Sequence, residues 1–463
     1  MSETALLWTA EEAAAATGGK APVNWSAFGV SIDTRTLQPG DLFLALKGTR
    51  DGHAFVGAAL EKGATAAMVA ARPERVTADA PLLLVGDTQI GLERLGRASR
   101  KRVRAKIVAV TGSAGKTTTK EMLRLMLAPS GMVAASAASY NNHWGVPLSL
   151  ARMARDTAYG VFEIGMNHAG EIRALVDQVR PHVALITTIA PAHLEYFGSV
   201  EAIADAKAEI FESVQPGGTA ILPRDNPQFE RLKNRAQAAG VARVLTFGRG
   251  VDADARLIAT ESYSDGQKLT ADIAGKRIVC AVGAVGAHIA LNAVASLLAV
   301  RELDAGMDAA AGALIGYHAL KGRGARLVIG GIELIDESYN ANPASMVAAL
   351  DGLGQTQTRG RRIAVLGDML ELGENSEDLH RALAGAITAA HADLVFLCGS
   401  HMAALWQAIP PRVRGAYTEA SATLAPELTR QLRTGDVVLV KGSFGSRMSV
   451  IIDALKAREA ARA

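Results

Sequence analysis

Between residues 111 and 118 the chain reads Thr111-Gly112-Ser113-Ala114-Gly115-Lys116-Thr117-Thr118, residue types suited to a polyphosphate. Glycines let backbone N–H groups approach an anion, lysine brings positive charge, and a threonine hydroxyl is a hard oxygen donor for Mg2+. The general phosphate-loop pattern also has a glycine six positions before the lysine; here that position is Val110. Such a loop needs a buried strand before it and a helix after it. Ile107 to Val110 is an apolar run, and Met122, Leu123, Met126 and Leu127 recur at helical spacing before Pro129 stops the helix. The stretch therefore reads as a nucleoside-triphosphate site.

Two further residues stand where a sheet would bring them to the same place. Past the loop, strands at Tyr159 to Ile164, Val183 to Ile189, Thr219 to Leu222 and Arg243 to Phe247 alternate with helices at Gly170 to Val179 and Val200 to Val214. Apolar strands separated by helices predict a largely parallel sheet covered on both faces, which binds ligands beyond the carboxyl ends of its strands. Glu163 is near one such end and His193 lies just past the next. A carboxylate and an imidazole beside a triphosphate are natural Mg2+ ligands or water positioners. Each also has an ordinary reading, as a strand-end side chain facing solvent. On its own Lys207, in Asp205-Ala206-Lys207-Ala208-Glu209, reads as a solvated helix lysine, and Asn141-Asn142-His143-Trp144-Gly145 as a polar loop opening a helix.

The elements that position these residues fall into three segments of an α/β chain. At 463 residues, two to four domains are expected. Residues 1–86 form a small α/β unit, with a strand at Asp41 to Leu46, a helix at Phe55 to Leu60 and a strand at Ala66 to Ala70. Its dense polar punctuation, Ser31, Asp33, Thr34, Arg35, Lys47-Gly48 and Asp51-Gly52-His53, reads as turn chemistry. Residues 87–317 carry the phosphate loop and its mostly parallel sheet. At 253–282, turns at Asp265-Gly266 and Gly275-Lys276 predict an antiparallel extension of that sheet, and helices at Ala287 to Glu302 and Asp308 to Leu314 follow. Residues 318–463 read as a Rossmann-like doubly wound unit. Its strands are at Leu334 to Asp336, Ile363 to Leu366, Asp393 to Leu397 and Val437 to Val440, with helices at Glu377 to Ala390, His401 to Gln407 and Ala422 to Leu432. It lacks a phosphate loop but carries Gly367 to Gly373 and Lys441-Gly442-Ser443 at strand ends. A second α/β domain facing an ATP site suggests a cleft that closes over another substrate.

Composition excludes several classes. A net charge of +3 is too small to argue for nucleic acid or membrane binding. The one dense basic cluster, Arg97, Arg100, Lys101, Arg102, Arg104 and Lys106, reads as a solvated helix face. Cys280 and Cys398 lie far apart, against a disulfide framework or structural zinc and for a reducing compartment. Met1 to Gly19 carries Glu3, Glu11 and Glu12 and no basic region, so no secretion signal is expected. Ile289 to Val300 is too short to span a bilayer and contains Asn292. A cytoplasmic protein, acting as a monomer, is expected.

The phosphate loop, with its missing first glycine, resembles that of the Mur ligase family. So do Asp336-Glu337-Ser338-Tyr339-Asn340-Ala341-Asn342-Pro343, Leu366-Gly367-Asp368-Met369-Leu370-Glu371-Leu372-Gly373 with Ser376 and His380, Thr119-Lys120-Glu121-Met122 and Val440-Lys441-Gly442-Ser443. In the first segment Asp33-Thr34-Arg35, Pro39-Gly40-Asp41-Leu42-Phe43 and Asp51-Gly52-His53-Ala54-Phe55 are similar to the family's UDP-sugar-binding domain. The resemblance implies an ATP-dependent ligase adding D-alanyl-D-alanine to UDP-N-acetylmuramoyl-tripeptide through an acyl phosphate. It implies that Lys116 holds the β- and γ-phosphates, with Gly112, Ser113, Ala114, Gly115, Thr117 and Thr118 around them. It also implies that Thr117 and Glu163 hold one Mg2+, and that His193 and a carbamylated Lys207 hold a second. Asn292 and Arg323 would contact the nucleotide, Asp336 would lie near the ribose and Asn142 near the γ-phosphate. Thr34, Arg35 and the Lys47 to His53 loop would bind the uridine diphosphate.

The sequence departs from the family pattern at Ile289, Glu337, Phe444 and Ser446. Ile289 stands where asparagine is common, which leaves His288 without a secure role. A folylpolyglutamate synthase shares the loop and the acyl-phosphate chemistry, but the extra first segment and the Asp368 to Gly373 motif favour the peptidoglycan reaction. A P-loop switch that hydrolyses ATP would need no second-substrate domain.

Overall fold

The structure is a computed structural model that describes residues 5–74, 76–137, 139–263 and 266–460. It is an α/β protein built on three larger sheets. The first has four parallel strands in the order Gly29–Ser31, Asp41–Leu44, Ala66–Val69, Leu82–Leu84. The helix Thr88–Arg102 packs Leu92 and Leu95 into the same core as Leu42, Leu44 and Met68 of this sheet.

The second sheet has nine strands, and its topology sets the site. The strand leading into the phosphate loop, Lys106–Thr111, lies between Tyr159–Glu163 and Val183–Ile186, parallel to both. The chain runs to one side of Lys106–Thr111 first and then crosses to the other, so the strand order reverses there. That reversal opens a crevice beyond the carboxyl ends. Register places Val110 beside Glu163 and Thr111 beside Ile186, so loop, carboxylate and the segment carrying His193 leave the sheet together. The strand is apolar throughout because both of its faces are covered. Val108 and Val110 pack with Met122, Met126 and the helix Ala287–Glu302, whereas Ile107 and Ala109 pack with Phe162, Ile172 and Ile186. At the far edge Ala255–Tyr263, Gly266–Ile273 and Lys276–Val282 form the expected antiparallel extension. Asp265, in one of its turns, lies outside the described residues, as does Glu3.

The third sheet has six strands, with Ile332–Glu337, Val437–Lys441, Arg362–Gly367, Leu394–Cys398 and Arg414–Thr418 parallel and Ala325–Ile329 antiparallel at one edge. Ala325–Ile329, Arg414–Thr418 and the short Val133–Ala135 were not foreseen in the sequence. The helix expected over Glu377 to Ala390 is two, Ser376–Arg381 and Leu383–Ala389.

The basic cluster is only in part a solvated face: Arg97, Lys101 and Arg104 are exposed, whereas Arg100 and Arg102 are partly buried against neighbouring segments. Arg100 donates to the carbonyls of Val179 (2.7 Å) and Arg180 (2.9 Å), where the helix Glu171–Val179 ends with unpaired carbonyls. Arg102 donates to the Leu7 carbonyl at 2.8 Å and stacks on Trp8 with 4.0 Å to the ring centre. Burial holds both guanidiniums below their usual pKa, Arg102 at about 10. These arginines brace neighbouring segments against the helix Thr88–Arg102.

Candidate active site

The loop turns on Gly112 and Gly115, at φ +151° and +81°. A side chain at Gly115 would also meet Asn292, 2.8 Å from its Nδ2, so the loop lies directly against the start of the helix Ala287–Glu302. Ser113 ties the loop to the next strand, its hydroxyl donating to the Ala190 carbonyl (3.0 Å) and accepting from the Ala190 amide (3.0 Å). Lys116 opens the helix Lys116–Leu127 and folds its amine onto the Gly112 carbonyl at 2.7 Å. Burial pulls its pKa below the ordinary lysine value; Glu163 opposes this and Arg323 adds to it. An anion between these groups would take the place of that carbonyl.

Glu163 is buried at the end of its strand. One oxygen accepts from the Thr117 hydroxyl and the other from Asn141 Nδ2, both at 2.7 Å. Carboxylate and hydroxyl together are an oxygen donor pair suited to Mg2+, which binds through one or two carboxylates plus substrate phosphates. Among the described residues no group of three or more His, Cys, Asp or Glu gathers as a metal cage. The donor set therefore fits a cation shared with a bound polyphosphate.

His193 follows the next strand in left-handed backbone, φ +60°. Its Nδ1 is 2.5 Å from Glu371 Oε2, a residue of the C-terminal sheet unit. Burial lowers the imidazole pKa; Glu371 opposes this, while Lys207 and Lys116 add to it. Lys207 is not on a helix surface as its local sequence suggested. The helix Val200–Ala208 turns Ile203, Ala204 and Lys207 inward, and only 1% of Lys207 is exposed. Among the described residues its amine has no hydrogen-bond or ion-pair partner. Burial, then repulsion from Lys116, push its pKa well below the ordinary value, toward the neutral amine.

Lys116, Asn141, Glu163 and His193 line a cavity of about 340 Å3, whose other side is formed by Arg323, Glu337 and Lys441; Thr117 and Lys207 lie behind this lining and not in it. Arg323 lies over the Tyr339 ring at 3.8 Å and donates to the Ser139 hydroxyl (2.8 Å). Lys441 is buried between Glu337 Oε2 (3.2 Å) and the Asn340 carbonyl (3.0 Å). Asn342 Nδ2 reaches the Ser113 carbonyl at 3.2 Å, so the C-terminal unit touches the phosphate loop.

Two residues marked in the sequence are placed differently. Asn142 caps the helix Gly145–Ala151, accepting from the amides of Trp144 (3.2 Å) and Gly145 (2.9 Å); its neighbour Asn141 is the one in the cavity. Asp336 is fully buried, and its oxygens accept from the Gly322 amide (2.9 Å), the Ser338 amide (3.1 Å) and the Ser338 hydroxyl (2.6 Å). It secures the crossing into the C-terminal sheet and does not line the cavity.

A separate cavity of about 430 Å3 opens in the first unit, lined by Asp33, Thr34, Arg35, Arg50, Phe55 and Trp144 among others. Thr34 and Arg35 line it; Lys47 and His53 do not. His53 instead braces the loop, with Nδ1 2.7 Å from Asp51 Oδ1 and Nε2 accepting from the Ala70 amide (2.9 Å). Paired with Arg35, the Asp33 carboxyl is held down at about 2. Among the described residues no helix is long and apolar enough to cross a membrane.

Comparison with known proteins shows similarity along nearly the whole chain. Residues 28–100 match the Mur ligase family catalytic domain, 110–300 the Mur ligase middle domain and 322–444 the Mur ligase glutamate ligase domain. A UDP-N-acetylmuramoyl-tripeptide–D-alanyl-D-alanine ligase of Escherichia coli (strain K12) is 36% identical, over 92% of this chain and 93% of its own. The crystal structure of MurF from Acinetobacter baumannii superposes with a TM-score of 0.85 at 29% identity, covering 97% of this chain and 99% of that one. MurF ligase from Thermotoga maritima, solved in complex with ADP, has a TM-score of 0.79 at 26% identity, over 94% and 98%.

Proposed function

The chain belongs to the Mur ligase family, and we propose that it joins D-alanyl-D-alanine to UDP-N-acetylmuramoyl-tripeptide at the expense of ATP, in peptidoglycan precursor synthesis. The observation that carries this reading is the shared cavity. Lys116, Glu163 and His193 line it from the phosphate-loop unit and Arg323, Glu337 and Lys441 from the C-terminal side. A nucleotide hydrolase needs only the first set; a ligase needs a second substrate brought in from the opposite side.

The tripeptide carboxylate attacks the γ-phosphorus of ATP, forming an acyl phosphate and releasing ADP. The D-alanyl-D-alanine amine then attacks the acyl carbon, the tetrahedral intermediate expels phosphate, and the amine proton is lost to solvent or a base. The first step brings an anion to a polyanion. Lys116, released from the Gly112 carbonyl, and Arg323 screen that repulsion and stabilise charge on the transferred phosphoryl group. Backbone amides of Gly112 to Thr118 and the helix N-terminus hold the other phosphates.

We assign Thr117 and Glu163 to one Mg2+, and His193 with Lys207 to a second. Bound Mg2+ would neutralise phosphate charge and polarise the transferred group. The isolated amine of Lys207 supports its carbamylation: a neutral amine adds to CO2, loses a proton and becomes an anionic oxygen donor. Asn141, rather than Asn142, would orient Glu163. The uridine diphosphate is assigned to the cavity at Thr34 and Arg35, with Trp144 as a wall. In this reading residues 1–86 hold the UDP-sugar, 87–317 the ATP, and 318–463 deliver the dipeptide. The protein would act as a monomer in the cytoplasm; its cysteines, Cys280 and Cys398, are free and buried, which suits a reducing compartment.

Phosphate release tests the assignment. With ATP and UDP-N-acetylmuramoyl-tripeptide, release is expected to depend on added D-alanyl-D-alanine. Release that continues without either acceptor would overturn the ligase reading.

A further inference from the structure

The motif Gly367 to Gly373 builds a turn far more firmly held than a surface loop needs. The Met369 amide donates to His380 Nε2 (2.9 Å), and His380, fully buried, donates from Nδ1 to the Ser376 carbonyl (2.6 Å). The Leu370 amide donates to the Ser443 hydroxyl (2.9 Å), and Asp368 accepts from the Met402 amide (3.0 Å). At the tip, Glu371 sits at φ +62°, a conformation that a non-glycine residue keeps only when its surroundings enforce it. The residue it meets, His193, is held at φ +60°.

Main chain and side chain of Glu371 both engage the central unit. Its carbonyl accepts from the Glu195 amide at 3.1 Å, and its Oε2 lies 2.5 Å from His193 Nδ1. Gly373, on the same turn, lies beside the same residue, where an added Cβ would be in van der Waals contact with Glu195 Cα at 3.4 Å. A carboxylate on Nδ1 fixes the proton there and leaves the Nε2 lone pair for a cation; metal-binding histidines are usually oriented in this way. Here the carboxylate belongs to a different unit from the histidine.

We propose that Glu371 is a positioning residue that fixes the ring and tautomer of His193, so that the second metal position becomes competent only when the C-terminal unit closes on the central one. This rests on the reading of His193 as a metal ligand. It links arrival of the second-substrate unit to completion of the phosphoryl-transfer site, and keeps ATP from being spent while the cleft is open.

The test is Mn2+ binding to the full chain in saturating ADP, read by electron paramagnetic resonance of free Mn2+, with no turnover involved. Wild type is expected to bind two Mn2+. In Glu371→Ala the weaker Mn2+ loses about 10–100-fold in affinity, while the tighter one and metal-free ADP affinity stay unchanged. Glu371→Gln, isosteric and less disruptive to the turn, should show a smaller loss of the same site. In His193→Ala, adding Glu371→Ala should change nothing further, because the effect runs through the imidazole. Unchanged affinities in both Glu371 variants, or additive loss in the His193→Ala background, would overturn the inference. A wild-type chain that binds one Mn2+ would instead overturn the metal reading of His193.

Discussion

Glu163→Gln separates a structural carboxylate from a functional one. The side chain is buried and makes two hydrogen bonds, from Thr117 Oγ1 and Asn141 Nδ2, each 2.7 Å. Glutamine can keep both. Its carbonyl accepts from Asn141, and its NH2 donates to the Thr117 hydroxyl, which rotates to accept. Two charge-assisted bonds become neutral ones, a loss of about 1 kcal/mol each, offset by no longer burying a carboxylate. The folded state should therefore change by no more than about 1 kcal/mol in urea unfolding. Turnover should fall by about 100- to 1,000-fold, ~2.7–4 kcal/mol of lost transition-state stabilisation, because a neutral amide is a poor ligand for Mg2+. The assay is phosphate release at saturating substrates over a Mg2+ titration, beside the unfolding curves. Turnover within about threefold of wild type would refute the metal role. So would an activity loss that merely tracks a loss of folded protein.

Lys207→Ala should lose about 100-fold or more in turnover, as expected for a residue that places a catalytic charge. Added acetate should restore part of it if a carboxylate-like ligand is what the site lacks; no rescue at any concentration counts against the carbamate. His182 Nδ1 accepts from the Ile107 amide (2.9 Å), and burial, with Arg100 and Lys106 nearby, lowers its pKa to about 4. Between that value and the unfolded pKa near 6.5 the unfolded chain binds the extra proton, so this contribution is complete above about pH 6.5 and fades as pH falls toward 4. The ring is partly exposed, which limits the loss to roughly 1–2 kcal/mol. Wild type should therefore lose more stability than His182→Gln between pH 7.5 and 5 in urea titrations, and parallel losses would contradict the account. Asp336→Ala strands three donors, those of Gly322 and Ser338, and should cost about 3 kcal/mol in unfolding free energy; a cost below about 1 kcal/mol would show that Asp336 is not the anchor of that crossing.

What the sequence made legible was local or followed from parallel-sheet topology. The phosphate loop is one continuous strand–turn–helix, so its role could be read from adjacent residues. Glu163 and His193 could be brought together from distant positions because both sit at carboxyl ends of strands flanking the loop strand. The burial of Lys207 was not legible, since nothing in its helix marks which face the sheet covers, and family resemblance alone singled it out. Asn141 and Asn142 are adjacent asparagines, and which one enters the cavity depends on where the backbone turns to cap a helix. Asp336 sits in a recognisable motif, yet its oxygens are taken up by the amides of Gly322 and Ser338 and the Ser338 hydroxyl, which no linear pattern reveals. Arg100 and Arg102 departed from the expected solvated face for a related reason, because guanidiniums can satisfy carbonyls of packed neighbours as well as face water. Glu371 lay in a motif visible in the sequence, but its contact with His193 spans 178 positions and two sheets.

The central claim is that the terminal carboxylate of the UDP-linked tripeptide, and not water, accepts the γ-phosphoryl group. Oxygen-18 in the terminal carboxylate of UDP-N-acetylmuramoyl-tripeptide tests it directly, with mass spectrometry of the phosphate released during turnover with ATP and D-alanyl-D-alanine. Attack by the carboxylate leaves its oxygen bridging carbon and phosphorus, and amine attack then expels it with the phosphate. The account predicts one labelled oxygen in each phosphate per amide formed; unlabelled phosphate released alongside amide product would contradict it.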